Sequence, residues 1–280
     1  MQKIFIDHSS AFQFYQNARA NMHLDMLGLD PSKNTMQLAY SCAQPSKMER
    51  YAPASVDFGS LPYCGDLPLH ISITNPNNSC SSKKLKTHLS NQGFVRNSFV
   101  KYSNSIYIAA PELVFCQMAK ELSIEQLMLL GLEYCGTYAL TQSAPDGFIC
   151  NIQPLTTVSK LQTYVKNLKA NYKNFAGIQN AVAVSKLLID NCASPMESKL
   201  YLKLSAPRNL GGYAVKNLIA NKRINLSKKA ADILGFHYLR ADLCIKKSKI
   251  AIEYDSNTFH DNTGQNEKDK LRADALQHDG

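Results

Sequence analysis

The stretch YLRADLCIKKSKIAIEYD, residues 238–255, contains two runs of apolar residues separated by the basic sequence KKSK. This pattern predicts a β-hairpin that turns over 246–249, with residue 245 paired to 250 and Asp242 paired to Glu253. Because side chains alternate between the two faces of a strand, both acids would point away from the apolar face. We expect that apolar face to consist of Leu243, Ile245, Ile250 and Ile252.

Two carboxylates directly opposite each other in a sheet repel. Their Cβ atoms would lie about 4.5–5.5 Å apart, where like charges destabilise strand pairing. Asp255 follows on the same side as Glu253 and adds a third negative charge. A protonated acid, a basic neighbour or a divalent cation would relieve the repulsion. An oxygen-ligand site for Mg²⁺ or Mn²⁺ explains the three acids together; the alternative is surface pairing with Arg240, Lys246 or Lys249.

The composition is typical of a globular protein with one large domain or two smaller ones. The chain has 280 residues, 45% of them hydrophobic, and no apolar run reaches the roughly 18 residues that suggest a membrane span. The N-terminal sequence lacks a signal-peptide pattern, and the eight cysteines include no C-x-x-C pair. We therefore expect a cytoplasmic protein with reduced thiols and no membrane partner.

Basic residues are concentrated in one part of the chain. The sequence carries 31 Lys and Arg against 22 Asp and Glu, a formal net charge of +9. The segment 151–230 holds 13 of these basic residues, and its only acids are Asp190 and Glu197. Such a segment indicates a polyanionic partner, most commonly nucleic acid, and the alternative is a solvated, lysine-rich helical surface.

Hydrophobic periodicity predicts two regions, 1–150 and 151–280, that meet at a connection over 141–155. The first is α+β, and its second helix after Pro111 begins with a capping box formed by Ser123 and Gln126. The second region begins with three helices and continues with strands and a charged helix. The predicted strands of this second region lie near 223–226, 237–245 and 249–255.

Several short motifs occur in an order that resembles a known nuclease family. They are SPxE (194–197), the glycine pair 211–212, RxDL (240–243), IEYD (252–255), His260 and DxxR (269–272). Over residues 190–280 the series resembles the PD-(D/E)XK nuclease superfamily, and more closely its very-short-patch-repair-like branch in bacterial AbiEi-like, toxin–antitoxin-associated proteins. The resemblance implies an α/β-type C-terminal half with a restriction-endonuclease-like mixed sheet flanked by helices. An α+β N-terminal domain that binds DNA or a partner protein would precede it.

The resemblance also implies roles for individual residues. Asp242 and Glu253 would hold Mg²⁺ or Mn²⁺, while Glu197 would be the acid supplied by the preceding helix. His260 would orient or deprotonate water. Asp255 stands where the superfamily usually has a lysine, and it completes the candidate catalytic set. The candidate contacts to nucleic acid are Arg208, Lys216, Lys222, Arg223, Lys249 and Arg272.

The predicted activity is metal-dependent hydrolysis of DNA phosphodiester bonds, in phage defence or a toxin–antitoxin setting with a cognate protein partner. Asp255 in place of lysine favours the alternative of a regulator or antitoxin that keeps the nuclease fold without its chemistry. RNA is not excluded as the substrate, because a basic surface suits both nucleic acids. Glu197 also has a purely structural interpretation, since Ser194 and Pro195 before it complete a helix start.

Overall fold

In the computed structural model, the residues described are 3–20, 38–45, 61–62, 67–90 and 93–254. Contacts divide the chain into two compact units, Met1–Leu188 (unit 1) and Ile189–Gly280 (unit 2). The fold class is mixed α+β, as predicted. Within the described ranges, no helix combines the length and the apolar character that a membrane crossing requires.

Unit 1 is built on a six-stranded mixed sheet. Its strands are β1 (Ile4–Ile6), β2 (Tyr40–Ser41), β3 (Leu69–Ile73), β4 (Leu85–Leu89), β5 (Phe99–Lys101) and β6 (Ile106–Ala109). They lie in the order β2-β5-β6-β1-β3-β4. β1 is parallel to β6 and antiparallel to β3, and β3 is parallel to β4. All four residues of β6 are buried, as is typical of a strand covered on both faces.

Helices flank this sheet. They are α1 (His8–Ala20), α2 (Pro111–Met118), α3 (Ile124–Tyr134), α4 (Val158–Asn171) and α5 (Ile178–Ser185). Every residue of α2 is buried, so this helix lies inside the core of the unit. The predicted capping box of α3 is confirmed: the Ser123 hydroxyl accepts the Gln126 N–H, and the Gln126 side chain accepts the Ser123 N–H. A separate hairpin joins β7 (Tyr138–Leu140) to β8 (Phe148–Cys150).

The division between the units lies after Leu188, later than the predicted connection over 141–155. Helix α4 packs against α2, and α5 packs against both α3 and α4. Leu161 and Leu168 of α4 are fully buried, and the Tyr164 hydroxyl lies 2.6 Å from Ser98 Oγ beside β5. These apolar stripes complete the core of unit 1, so the two helices belong to it although the charge pattern assigns them to the basic region.

Unit 2 contains a three-stranded antiparallel sheet in the order β11-β10-β9. The strands are β9 (Leu218–Asn225), β10 (Tyr238–Ile245) and β11 (Ile250–Ile252), and the helices are α6 (Pro195–Ser205) and α7 (Lys228–Leu234). Because the described strands here are all antiparallel, the predicted mixed sheet in this half is not confirmed; the mixed sheet lies in unit 1. Helix α7, capped by Ser227, was not predicted, since it fills a short interval between two strands.

The predicted hairpin register is confirmed. Ile245 pairs with Ile250, and Leu243 pairs with Ile252. The expected apolar face is buried unevenly, because Leu243 is fully buried whereas Ile250 at the tip is 47% exposed. At the end of the hairpin that carries the acids, β10 is therefore buried, whereas Tyr254 after β11 and the turn end are exposed.

Candidate active site

Three polar residues form a row across the sheet of unit 2. Ala241 pairs with Lys222, and Leu243 pairs with Ala220 on one side and Ile252 on the other. Continued by one residue, this register puts Asp242 between Asn221 of β9 and Glu253, which follows β11. Residues directly opposite each other in neighbouring strands share a face of the sheet. The row therefore brings the two acids of the hairpin together with an amide side chain.

Glu197 reaches this row from α6. Its Oε2 accepts hydrogen bonds from Asn221 Nδ2 and from the Ala193 backbone N–H, both at 2.8 Å. The residue is only 7% exposed. Its own backbone N–H donates to Ser194 Oγ, the cap of the helix, over 3.1 Å. Glu197 thus completes the start of α6 and also links that helix to β9. Its role in the helix start is therefore compatible with a role in the site.

The Asp242 carboxylate is held by the chain that leaves β11. Its Oδ2 accepts a hydrogen bond of 2.7 Å from the backbone N–H of Tyr254. Asp242 is half-buried. A carboxylate that accepts a backbone N–H keeps a defined orientation, as a metal ligand requires.

Burial is the main reason that the pKa of Glu197 lies above its ordinary value, and the negative charge of Asp242 adds to this shift. Hydrogen bonds from Ala193, Ser194 and Asn221 act in the opposite direction without reversing the shift. The charge of Asp242 thus acts on Glu197, and a cation held by oxygen ligands would favour the ionised form of both carboxylates.

The predicted phosphate contacts lie in several places on unit 2. Arg208 and Lys216 are exposed in the segment before β9, while Lys222 and Arg223 lie on β9 itself. The Arg223 guanidinium lies 4.0 Å from the centre of the Tyr238 ring on the neighbouring strand. Arg223 and Tyr238 thus combine a cation with an aromatic face, the combination that binds unstacked bases.

Lys249 is exposed at the turn of the hairpin, in a left-handed conformation with φ 50°. Lys249 precedes Glu253 by four residues, which is about 13 Å at the usual rise of a strand. Lys222 is paired with Ala241, so the alternation of side chains assigns it to the opposite face from Asp242. Arg223, paired with Arg240, belongs to the same face as Asp242.

The basic segment 151–230 is divided between the two units. Five of its thirteen basic residues belong to unit 1 and eight to unit 2. In unit 1 they include Lys160 and Lys166, exposed on α4. Sequence position alone therefore does not define a single basic surface.

Three of the predicted site residues, Asp255, His260 and Arg272, lie outside the described residues, as does Asp269 of the DxxR motif. Asn221 was not predicted. Its φ of 48° is unusual for a residue other than glycine, and asparagine is uncommon inside strands. An asparagine within an otherwise strand-like run was the sequence signal that could have identified it.

Comparisons with family models, with curated proteins and with solved structures found no match for this chain.

Proposed function

We propose that this chain is a metal-dependent endonuclease that hydrolyses phosphodiester bonds of DNA. The observation that carries the proposal is the convergence of Glu197 from α6 with Asp242 and Glu253 from the β10–β11 hairpin. The proposal assigns unit 2 to a restriction-endonuclease-like fold. It places the protein in the cytoplasm, in phage defence or beside a cognate toxin or antitoxin.

The donor set suits a hard divalent cation. Carboxylate oxygens are the ligands that Mg²⁺ and Mn²⁺ prefer, and the negative charge of Asp242 acts on the buried Glu197. Asp242 and Glu253 would hold the ion. When bound, it would polarise the scissile phosphate and lower the pKa of a bound water molecule.

The other residues of the site then have separate roles. The Tyr254 N–H holds the Asp242 carboxylate in one orientation, and Asn221 holds Glu197 beside it. In this proposal His260 accepts a proton from the attacking water. Lys222 and Arg223 on β9 contact the phosphate backbone, so binding weakens as salt increases.

Cleavage of supercoiled plasmid with Mg²⁺ or Mn²⁺ tests the proposal. We expect nicking or linearisation by the wild type, and its loss in Asp242→Asn and in Glu253→Gln. Asp232→Asn is a matched control, because Asp232 is an exposed acid on α7 and the substitution makes the same change in charge. Cleavage that persists in Asp242→Asn, or that requires no metal, would contradict the assignment.

A second function is a nuclease-fold regulator or antitoxin that binds DNA without cutting it. Asp255 at the position of the usual lysine favours it, because a lysine there would polarise the water and steady the phosphate. A wild type that retains DNA in a salt-sensitive way but cleaves neither DNA nor RNA with Mg²⁺ or Mn²⁺ would support this function. Cleavage of RNA but not DNA would replace DNA with RNA as the proposed substrate and leave the proposed catalytic residues unchanged.

A further inference from the structure

A second polar cluster lies in unit 1, at the edge of the six-stranded sheet that contains β1, β3 and β4. Asp7 and His8 follow β1, His70 belongs to β3 and His88 to β4. One ligand atom from each of Asp7, His8 and His88 lies within 4.8 Å of the others. Pairing of β1 with β3 and of β3 with β4 brings these residues together from distant parts of the sequence.

Asp7 is the buried centre of this cluster. It is 0% exposed, and its Oδ2 accepts hydrogen bonds from Ser72 Oγ (2.6 Å) and Gln117 Nε2 (3.4 Å). Its Oδ1 is buried and has no hydrogen-bond partner among the described residues. A buried carboxylate oxygen without a partner is costly, and a cation is the ligand that would satisfy it.

His8 is placed beside that carboxylate by an uncommon backbone conformation. Its φ is 45°, in the left-handed region, and its backbone N–H donates to Gln117 Oε1 over 3.1 Å. Its Nδ1 lies 3.0 Å from Asp7 Oδ2, yet this nitrogen makes no aligned hydrogen bond within the described part of the chain. Two ligands of a tetrahedral zinc ion with bonds of about 2.0–2.1 Å lie a similar distance apart, roughly 3.3 Å.

His88 is oriented by a neighbouring histidine. Its Nε2 lies 3.0 Å from His70 Nδ1, so the two imidazoles share one hydrogen bond. Metal-binding histidines usually make such a bond with the ring nitrogen that does not face the ion.

We propose that Asp7, His8 and His88 bind one divalent transition-metal ion of the Zn²⁺ class, with His70 as the positioning residue of His88. Two imidazoles and one carboxylate favour zinc over magnesium. His8 and His88 are half-buried rather than fully buried, so solvent reaches the cluster and could supply a fourth ligand. Three protein ligands with an open position are the arrangement of a zinc ion that binds water or substrate.

The His8 and His88 rings are stacked, with centroids 3.6 Å apart and planes 16° from parallel. Lone pairs of imidazole lie in the plane of the ring, so two parallel rings do not aim at one point between them. Binding of the ion therefore requires at least one ring to turn about its Cβ–Cγ bond. This turn gives the proposal a spectroscopic readout that does not depend on activity.

Zinc titration of the chelator-stripped, full-length chain against a chromophoric competitor tests the proposal. We expect one Zn²⁺ per wild-type chain and shifted ring-proton NMR signals of His8 and His88. His70→Gln should weaken binding about 10–100-fold, the usual effect of losing an outer partner of a ligand, and Asp7→Asn and His88→Gln should weaken it further. Asp232→Asn should bind zinc like the wild type, because Asp232 is an exposed acid on α7 of unit 2, outside both proposed sites.

The result that overturns the proposal is a wild type that binds no zinc, or one that binds it without any change in the histidine signals. Zinc bound equally well by folded His88→Gln would assign the ion to other groups, such as the free cysteines, and would also overturn it. Asp7 is fully buried, so Asp7→Asn is interpreted only if circular dichroism shows a folded chain. The NMR titration of the wild type requires no variant and decides the question in every case.

Discussion

The acidic group of unit 2 and the histidine cluster of unit 1 differ in the atoms that they offer to a metal ion. Around Asp242 the donors are carboxylate oxygens on a partly solvated sheet, and burial of Glu197, with a smaller contribution from the charge of Asp242, raises the pKa of Glu197. Around Asp7 one carboxylate is fully buried, and two imidazoles lie beside it. Oxygen donors select hard cations such as Mg²⁺, whereas imidazole nitrogens select Zn²⁺. The two proposed sites should therefore discriminate between metals.

The two groups also differ in their support. Asp7 is held by side chains from β3 and α2, Ser72 and Gln117, and so depends on the packed core of unit 1. Asp242 accepts a hydrogen bond from the backbone N–H of Tyr254, in the segment that follows β11. The first group is positioned by tertiary packing and the second by the local register of a hairpin.

The largest expected effect separates the two metals. Asp242→Asn should reduce Mg²⁺-dependent cleavage by at least about 100-fold, because it removes a charged ligand, while its zinc stoichiometry stays at that of the wild type. His88→Gln should show the reverse pattern. The measurement is plasmid cleavage and metal content on the same protein preparations. Loss of both properties in either variant would break the comparison.

Packing at the two ends of the hairpin should differ next. Leu243→Ala should lower the free energy of unfolding of unit 2 by about 2–5 kcal/mol, because Leu243 is fully buried. Ile250→Ala is the matched control, and it should cost much less since Ile250 is 47% exposed. Urea unfolding followed by circular dichroism measures both. Equal losses would mean that the turn end packs as tightly as the end that carries the acids.

Glu197→Gln should stabilise the metal-free chain and weaken its activity. The pKa of Glu197 is raised, so the folded chain holds the proton of this carboxyl group more tightly than the unfolded chain does. The folded state therefore loses stability as the pH rises above the ordinary glutamate pKa. Glutamine keeps an oxygen that accepts from Ala193 and Asn221 but removes the charge. We expect a melting temperature about 2–4 °C higher at pH 7, the shift that about 1 kcal/mol produces in a chain of this size.

The pH dependence sharpens this prediction. The stability difference between Glu197→Gln and the wild type should shrink as pH falls towards the ordinary glutamate pKa, because Glu197 then becomes protonated and neutral in the folded wild type. A difference that stays constant with pH would show that the gain arises from packing rather than charge. Thermal melts in chelator across a pH series provide the measurement.

The smallest effect concerns the basic residues. Replacement of Lys222 and Arg223 by glutamine should weaken DNA retention and reduce the slope of log affinity against log salt by about 1 for each phosphate that is no longer neutralised. The matched control replaces Lys160 and Lys166, which are exposed on α4 of unit 1. Gel shifts at several salt concentrations measure both pairs. An equal decrease of slope in the control pair would assign DNA binding to both units.

Local features of the fold were predictable from the sequence. The hairpin register over 243–252 followed from the two-residue period of its side chains, and the capping box of α3 followed from the spacing of Ser123 and Gln126. The Ser194 cap of α6 was also predicted. Each of these depends on residues within a few positions of one another, so the physical cause is contained in one short stretch of chain.

Contacts between distant residues were decided only by the tertiary structure. Asn221 meets Glu197 across 24 positions, and Ser72 meets Asp7 across 65. The charge pattern assigned α4 and α5 to the basic region, but their buried apolar faces place them in unit 1. By itself the sequence determined the hairpin register and the caps of α3 and α6, because those features are local. Only the tertiary structure decided which polar groups share one site, because burial and strand order bring together residues that no sequence period relates.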